Sequence, residues 1–127
     1  MRGEKIDHVD GMTIKESDHT LATRLHQNTA KVNLNQHTEK SEQFGRLIVF
    51  GGHIISLARA LSFNGLANTF ALAAINGGAH VAPTFAGDTI YTWSEVLGKP
   101  EISGRNDLGA LRLRTVASRD QSYAAFL

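Results

Sequence analysis

The chain has 127 residues, 42% of them hydrophobic, which is core enough for one domain and not for two. Its 13 basic and 12 acidic residues leave a net charge of +1 with neither sign gathered into a run or a stripe, so nucleic acid is not an expected partner. The absence of cysteine removes disulfide frameworks and thiolate metal sites.

The first stretch, "MRGEKIDHVDG", is charged where a secretory signal would be apolar, and no run reaches the roughly 18 to 20 apolar residues of a membrane span. The expectation is a soluble, cytoplasmic chain with no membrane contact. A short extended piece then gives way to a helical period. Ser17 and Asp18 read as an N-cap, and Leu21, Ala22 and Leu25 give an apolar stripe ending near Gln27. Residues 28 to 45 are mostly polar, with Val32 and Leu34 as the apolar pair, and read as a long connection with a helical turn near 38 to 43. Connections of that length often carry function.

Next comes "FGRLIVFGGHIISLARALSFNGL". Leu47 to Phe50 form a short apolar segment that ends at Gly51-Gly52, where the sequence predicts a turn whose backbone a side chain would forbid. From there Ile54, Leu57, Ala58 and Leu61 fall at i, i+3, i+4 and i+7, widened by Ile55, Ala60 and Phe63, and predict a central helix over residues 52 to 64 that stops at Asn64-Gly65. Beyond Gly65 the pattern becomes that of a sheet. Three strands are predicted, in "NTFALAAINGGAHVAP", "GDTIYTWSEVLG" and "GALRLRTVAS", with Gly and Pro between them that allow antiparallel neighbours. The expected architecture is α+β, an antiparallel sheet around one apolar helix.

The hinge at Gly51 lacks both the G-x-G-x-x-G spacing and the Gly-Lys-Ser/Thr of nucleotide-binding loops. What remains is the physics of a helix start. Unpaired N–H groups and the positive end of the helix dipole, bared by glycine, can hold a developing oxyanion. The plainer alternative is a tight turn beneath a buried helix.

These residues carry a resemblance. "HQNTAKVNLNQHTEKSEQFGRLIVFGGHIISLARAL" resembles the signature of MaoC-like hotdog-fold hydratases and dehydratases. "KIDHVDGMTI", "ATRLHQNTAKV", "FGGHIISLARALSFNGLAN", "AAINGGAHVAP", "FAGDTIYTWSEVL" and "GALRLRTVASRD" resemble, in the same order, the C-terminal hotdog half of mesaconyl-CoA hydratases, also called beta-methylmalyl-CoA dehydratases. The resemblance implies one hotdog domain over residues 1 to 127, a coenzyme A thioester ligand, and addition or removal of water beside its carbonyl. It implies no cofactor beyond the coenzyme A of the substrate. The sixth segment leads in that family into one more strand, so the resemblance also implies a sheet short of its last strand and a homodimer, or pairing with another hotdog domain.

Carried over residue by residue, the oxyanion-binding glycine falls on Gly51, with Gly52 and His53 opening the helix. The hydratase Asp/His dyad falls on Asn28 and Asn33. Asparagine can orient a water but cannot take its proton near neutral pH, a role worth about 100 to 10,000-fold in rate. His53, neutral at the positive helix end, is the candidate replacement, with His26 and His37 further candidates by proximity. Each histidine also has a plain structural reading, and the six show no metal-ligand spacing. Two readings stand: a hydro-lyase acting on a short branched enoyl-CoA ester such as mesaconyl-CoA, and a non-catalytic acyl-CoA-binding or pairing module. A hotdog thioesterase relying on Glu39 or Glu42 is a weaker third.

Overall fold

A computed structural model of the chain describes residues 2–39 and 45–126. Four strands form one antiparallel sheet: β1 (Lys5–Asp7), β2 (Met12–Thr13), β3 (Thr89–Gly98) and β4 (Arg112–Arg119). β3 is its axis. One edge pairs with β1 across Trp93 to Glu95 and with β2 across Thr89 and Ile90, while the other pairs with β4 from Ile90 to Gly98. β1 and β2 are thus one interrupted strand. At the break Val9 has φ +66°, costly for a β-branched residue, and is held there by its N–H donating to Asp7 Oδ1 at 2.8 Å.

The alternation of β3 builds two layers from one strand. Ile90, Thr92, Ser94 and Val96 are all at most 2% exposed. On this side the principal helix, α4 (Gly51–Leu61), crosses the sheet, and Leu57 and Leu61 pack with Ile14, Val49 and Ile90 in the core cluster. Trp93, of opposite parity, is buried under Tyr123 and Phe126 of a closing 3-10 turn, with ring centroids 5.7 and 5.6 Å away. A polar network fastens β1 to the far end of α4. His8, fully buried, bonds Ser94 Oγ through Nε2 at 2.8 Å and the Asn64 carbonyl through Nδ1, and Ser94 Oγ continues to Thr115 at 2.9 Å.

Among the described residues, three further helical pieces precede α4: α1 (Glu16–Leu25), α2 (Lys31–Leu34) and α3 (Gln36–Glu39). Up to residue 39, the polar connection therefore carries two short helices where its composition predicts an irregular chain. The part of the helical turn expected beyond residue 39, and Glu42, lie outside the described residues.

Several sequence expectations meet a different structure. α1 starts after Lys15 rather than at Ser17 or Asp18, with no side-chain cap bond. It buries His19 and Thr23 and leaves Leu21 and Leu25 exposed, because its inner face meets the start of α4 rather than the apolar core. α4 ends at Leu61, followed by a turn over Phe63–Leu66 in which Gly65 takes φ +99°, the conformation that the Asn-Gly pair signals. The helix is not buried all round: Leu57 and Leu61 are, Ile54 and Ala58 partly, while Ile55 and Phe63 face outward. The first predicted strand is absent, since residues 67 to 85 form no ladder with any described strand. Phe70, Leu72, Ile75 and Val81 stand 58 to 96% exposed along it. Tyr123–Phe126 supplies no strand either, and among the described residues the outer edge of β4 is unpaired.

Leu57→Ala and Leu61→Ala should each lower unfolding stability by about 2–5 kcal/mol, because both leave a cavity against β3. Denaturant titration measures this, and Ile55→Ala, at an exposed site on the same helix, should cost far less.

His19 gives a pH dependence. Burial pushes its imidazole below the usual range, Glu16 pulls it partly back up, and His53 adds to the depression. The folded chain holds it neutral while the unfolded chain gains a proton below about pH 6.5. The stability present above that value is therefore lost as pH falls toward the depressed folded pKa. Melting temperature followed from pH 7.5 downward (a range about one unit either side of imidazole titration) should fall, and His19→Gln should flatten the slope.

Candidate active site

The site is built where the chain enters α4. Val49 donates its N–H to the Thr84 carbonyl at 2.7 Å, and Ile48 donates to Val32 at 2.8 Å, so the approach segment is tied on both sides. The amides of Gly51 and Gly52 follow, with no hydrogen bond to a described residue, as expected where no carbonyl lies four residues back. His53 N–H donates to Phe50 at 3.0 Å.

Neither glycine has the positive φ expected from the sequence. Their value is closeness. A Cβ on Gly51 would lie 2.8 Å from His80 Nε2, and one on Gly52 would lie 2.6 Å from the folded-back ring of Phe50. Gly51 thus lets a loop from beyond the helix press against the helix start, and Gly52 lets Phe50 fold over it and meet His26, 5.6 Å away between ring centroids.

A cleft of about 380 Å³ opens at this point, lined by Asn33, Ile48, Val49, Gly51, Ile54 and the strip His80 to Thr84. That volume is within the usual range of small-ligand sites. The structure therefore brings Asn33 and Gly51 together within one chain. Asn28 joins them by a bond: its Nδ2 donates to Asn33 Oδ1 at 2.9 Å, and Asn33 Nδ2 donates to the Ile48 carbonyl at 2.6 Å. Asn28 Oδ1 accepts from Ala30 N–H at 3.0 Å. The two asparagines form a clamp from the end of α1 through α2 to the segment feeding α4. The chain of bonds needs a donor at 28 and both a donor and an acceptor at 33, which the amides supply.

His53 lies elsewhere. With His26, Asp18, Leu21, Leu25, Met12 and Leu57 it lines a second cleft of about 420 Å³ on the α1 side of the helix start. Gly52 is covered by Phe50 and lines neither cleft. His37, in α3, also lines neither. Sequence reading misses His80, because its place comes from a fold contact across 29 residues of chain; its local signal is only a histidine just after Gly77-Gly78.

No protein-family model matches the chain. Over 119 residues, 94% of its length, it is 66% identical to the beta-methylmalyl-CoA dehydratase of Chloroflexus aurantiacus, and over 117 residues 59% identical to the mesaconyl-CoA hydratase of Cereibacter sphaeroides. It spans about a third of the length of these curated relatives. Among solved structures, a MaoC domain protein dehydratase from Chloroflexus aurantiacus superposes with a TM-score of 0.93 at 64% identity, over 97% of this chain and 35% of that one. A Mycobacterium tuberculosis protein with a double hotdog fold gives 0.74 at 25% identity, over 98% and 34%.

Asn33→Ala should destabilise by about 1–3 kcal/mol, since it orphans the Ile48 carbonyl and Asn28 Nδ2 in a site where Asn33 is 8% exposed. Denaturant unfolding of Asn33→Ala beside Asn28→Ala measures it, and a loss within error of zero for Asn33→Ala would refute the clamp. In sequence and in fold the chain resembles, along nearly its whole length, a MaoC-like hotdog unit that is one third of the beta-methylmalyl-CoA dehydratase and mesaconyl-CoA hydratase chains.

Proposed function

We propose that the chain binds a short branched enoyl-CoA thioester, of which mesaconyl-CoA is the type, at the start of α4 and takes part in adding or removing water beside the thioester carbonyl. One observation carries the reading: the unpartnered amide of Gly51, at a helix N-terminus, meets Asn33 in a ligand-sized cleft. The 66% and 59% identities to a dehydratase and a hydratase of such thioesters support it. In this reading the thioester oxygen accepts from Gly51, the residue of the pair that lines the cleft, with Gly52 next to it. The helix dipole favours the negative charge that develops there as the double bond is attacked.

The clamp favours a second reading for the asparagines. With Asn28 and Asn33 engaged with each other and with Ile48, they shape the cleft rather than move protons. A chain with no other acid/base would be an acyl-CoA-binding or pairing module. Pairing has its own support in the exposed Phe70, Leu72, Ile75 and Val81 and in the outer edge of β4, which pairs with no described residue and which soluble proteins normally cover. A homodimer, or a pair with a second hotdog domain, covers both.

Calorimetric titration with butyryl-CoA, which cannot be hydrated, tests binding apart from chemistry. Loss of the enoyl-thioester absorbance of mesaconyl-CoA tests turnover, and sedimentation across a concentration series tests pairing. Binding, turnover and a dimer are expected. Absence of butyryl-CoA binding would sink the thioester reading, and a dimer that binds no thioester would establish the pairing module.

A further inference from the structure

We propose that His80 is the acid/base of the cleft at the start of α4, the group that takes a proton from the attacking water and returns it to the carbon beside the thioester carbonyl. This rests on the thioester reading above. Three observations carry it. Among the described residues lining the cleft, His80 has the one titratable side chain; the others are Asn33, Ile48, Val49, Gly51, Ile54, Val81, Ala82, Pro83 and Thr84. The ring approaches with its Nε2 edge, the nearest atom to a Cβ built on Gly51 at 2.8 Å, with Cε1 at 3.1 Å and Cδ2 at 3.3 Å. A ring nitrogen able to take up and release a proton thus sits against the residue whose amide would hold the enolate oxygen. Finally, the imidazole makes no hydrogen bond to a described residue, in contrast to Asn28 and Asn33, whose amides are taken up by the clamp.

The closeness of His80 to Gly51 also gives the glycine a chemical reason. Any Cβ at position 51 would occupy the place of the imidazole edge. The glycine therefore does two things at once, baring an amide and admitting a base.

The step balances without a further reactant. Water oxygen bonds to the β-carbon as neutral His80 Nε2 accepts its proton, and the electron pair of the carbon–carbon double bond moves onto the thioester carbonyl. The enolate oxygen so formed accepts hydrogen bonds at the helix start. The enolate then collapses, its α-carbon takes the proton back from the imidazolium, and His80 returns to its neutral form with one water added. Dehydration is the reverse, with His80 first removing the α-proton and then delivering it to the departing hydroxide.

The test compares wild type with His80→Gln in three measurements: butyryl-CoA binding, mesaconyl-CoA hydration against pH, and melting temperature. Glutamine keeps a polar side chain of similar reach and cannot titrate. Wild type should hydrate with an inflection in rate between about pH 5 and 8. The variant should melt and bind butyryl-CoA as wild type does, turn over about 100 to 10,000-fold more slowly, and lose the inflection. Wild-type turnover in His80→Gln, or a retained inflection, would overturn the assignment and leave the thioester reading intact. Wild type that binds butyryl-CoA without hydrating mesaconyl-CoA at any pH would do the same. Wild type that binds no thioester would overturn both.

Discussion

The burial of one whole face of β3, with Trp93 buried on the other, is the constraint on which the rest of the molecule depends. Among the described strands it alone pairs with every other, and its two parities serve different layers: Ile90 and Val96 toward α4, Trp93 toward the closing turn. A strand so enclosed has one register, because a slip of a single residue would send Ile90 and Val96 outward and Thr89 and Glu95 inward. Fixing β3 fixes the line along which Leu57 and Leu61 can seat, and that places the N-terminus of α4. The position of the cleft is thus inherited from the sheet.

From that fixed end the approach to the helix is tied by two isolated backbone bonds and one side chain rather than by a strand ladder. Ile48 is held through its N–H by Val32 and through its carbonyl by Asn33, and Val49 is held by Thr84. These bonds come from α2 and from the loop at Thr84, far apart in sequence, so the segment leading to Gly51 and Gly52 is held from both sides. Preorganised amides of this kind need little rearrangement when charge develops, which is the physical basis of oxyanion stabilisation. The local geometry costs little backbone strain, since neither glycine has a positive φ.

How much of this is legible in the sequence depends on whether the signal is local. The i, i+3, i+4, i+7 stripe marks α4, and Leu57 and Leu61 are buried as it predicts, because helical period and burial face are two readings of one pattern. β3 and β4 are legible in the same way. The failures fall where a neighbour decides. Residues 67 to 83 have strand composition, yet β propensity expresses a fit to adjacent strands, and no described strand lies beside them. On α1 the leucines look like the inner face, but His19 and Thr23 hold it, because the helix packs toward α4 rather than over the sheet. Gly51-Gly52 announces special backbone, while its actual use is tight approach by Phe50 and His80. Spacing along the chain cannot show what comes near from elsewhere in the fold.

The unpaired segment and the cleft are one problem rather than two. His80 and Val81, which line the cleft, belong to the same stretch that leaves Phe70, Leu72 and Ile75 in solvent. A segment with few buried apolar contacts draws little energy from packing, so its position relative to Gly51 rests on a handful of interactions such as that of Thr84 with Val49. Covering those side chains with a second hotdog surface would bury apolar area on the segment that carries the imidazole. A catalytic group gains from being held in place, since misplacement by an ångström is enough to lose much of the rate. If, as proposed, a second hotdog surface buries Phe70 and Ile75 and His80 is the acid/base, pairing and chemistry are coupled through residues 67 to 83, since the same surface would hold His80 against the start of α4.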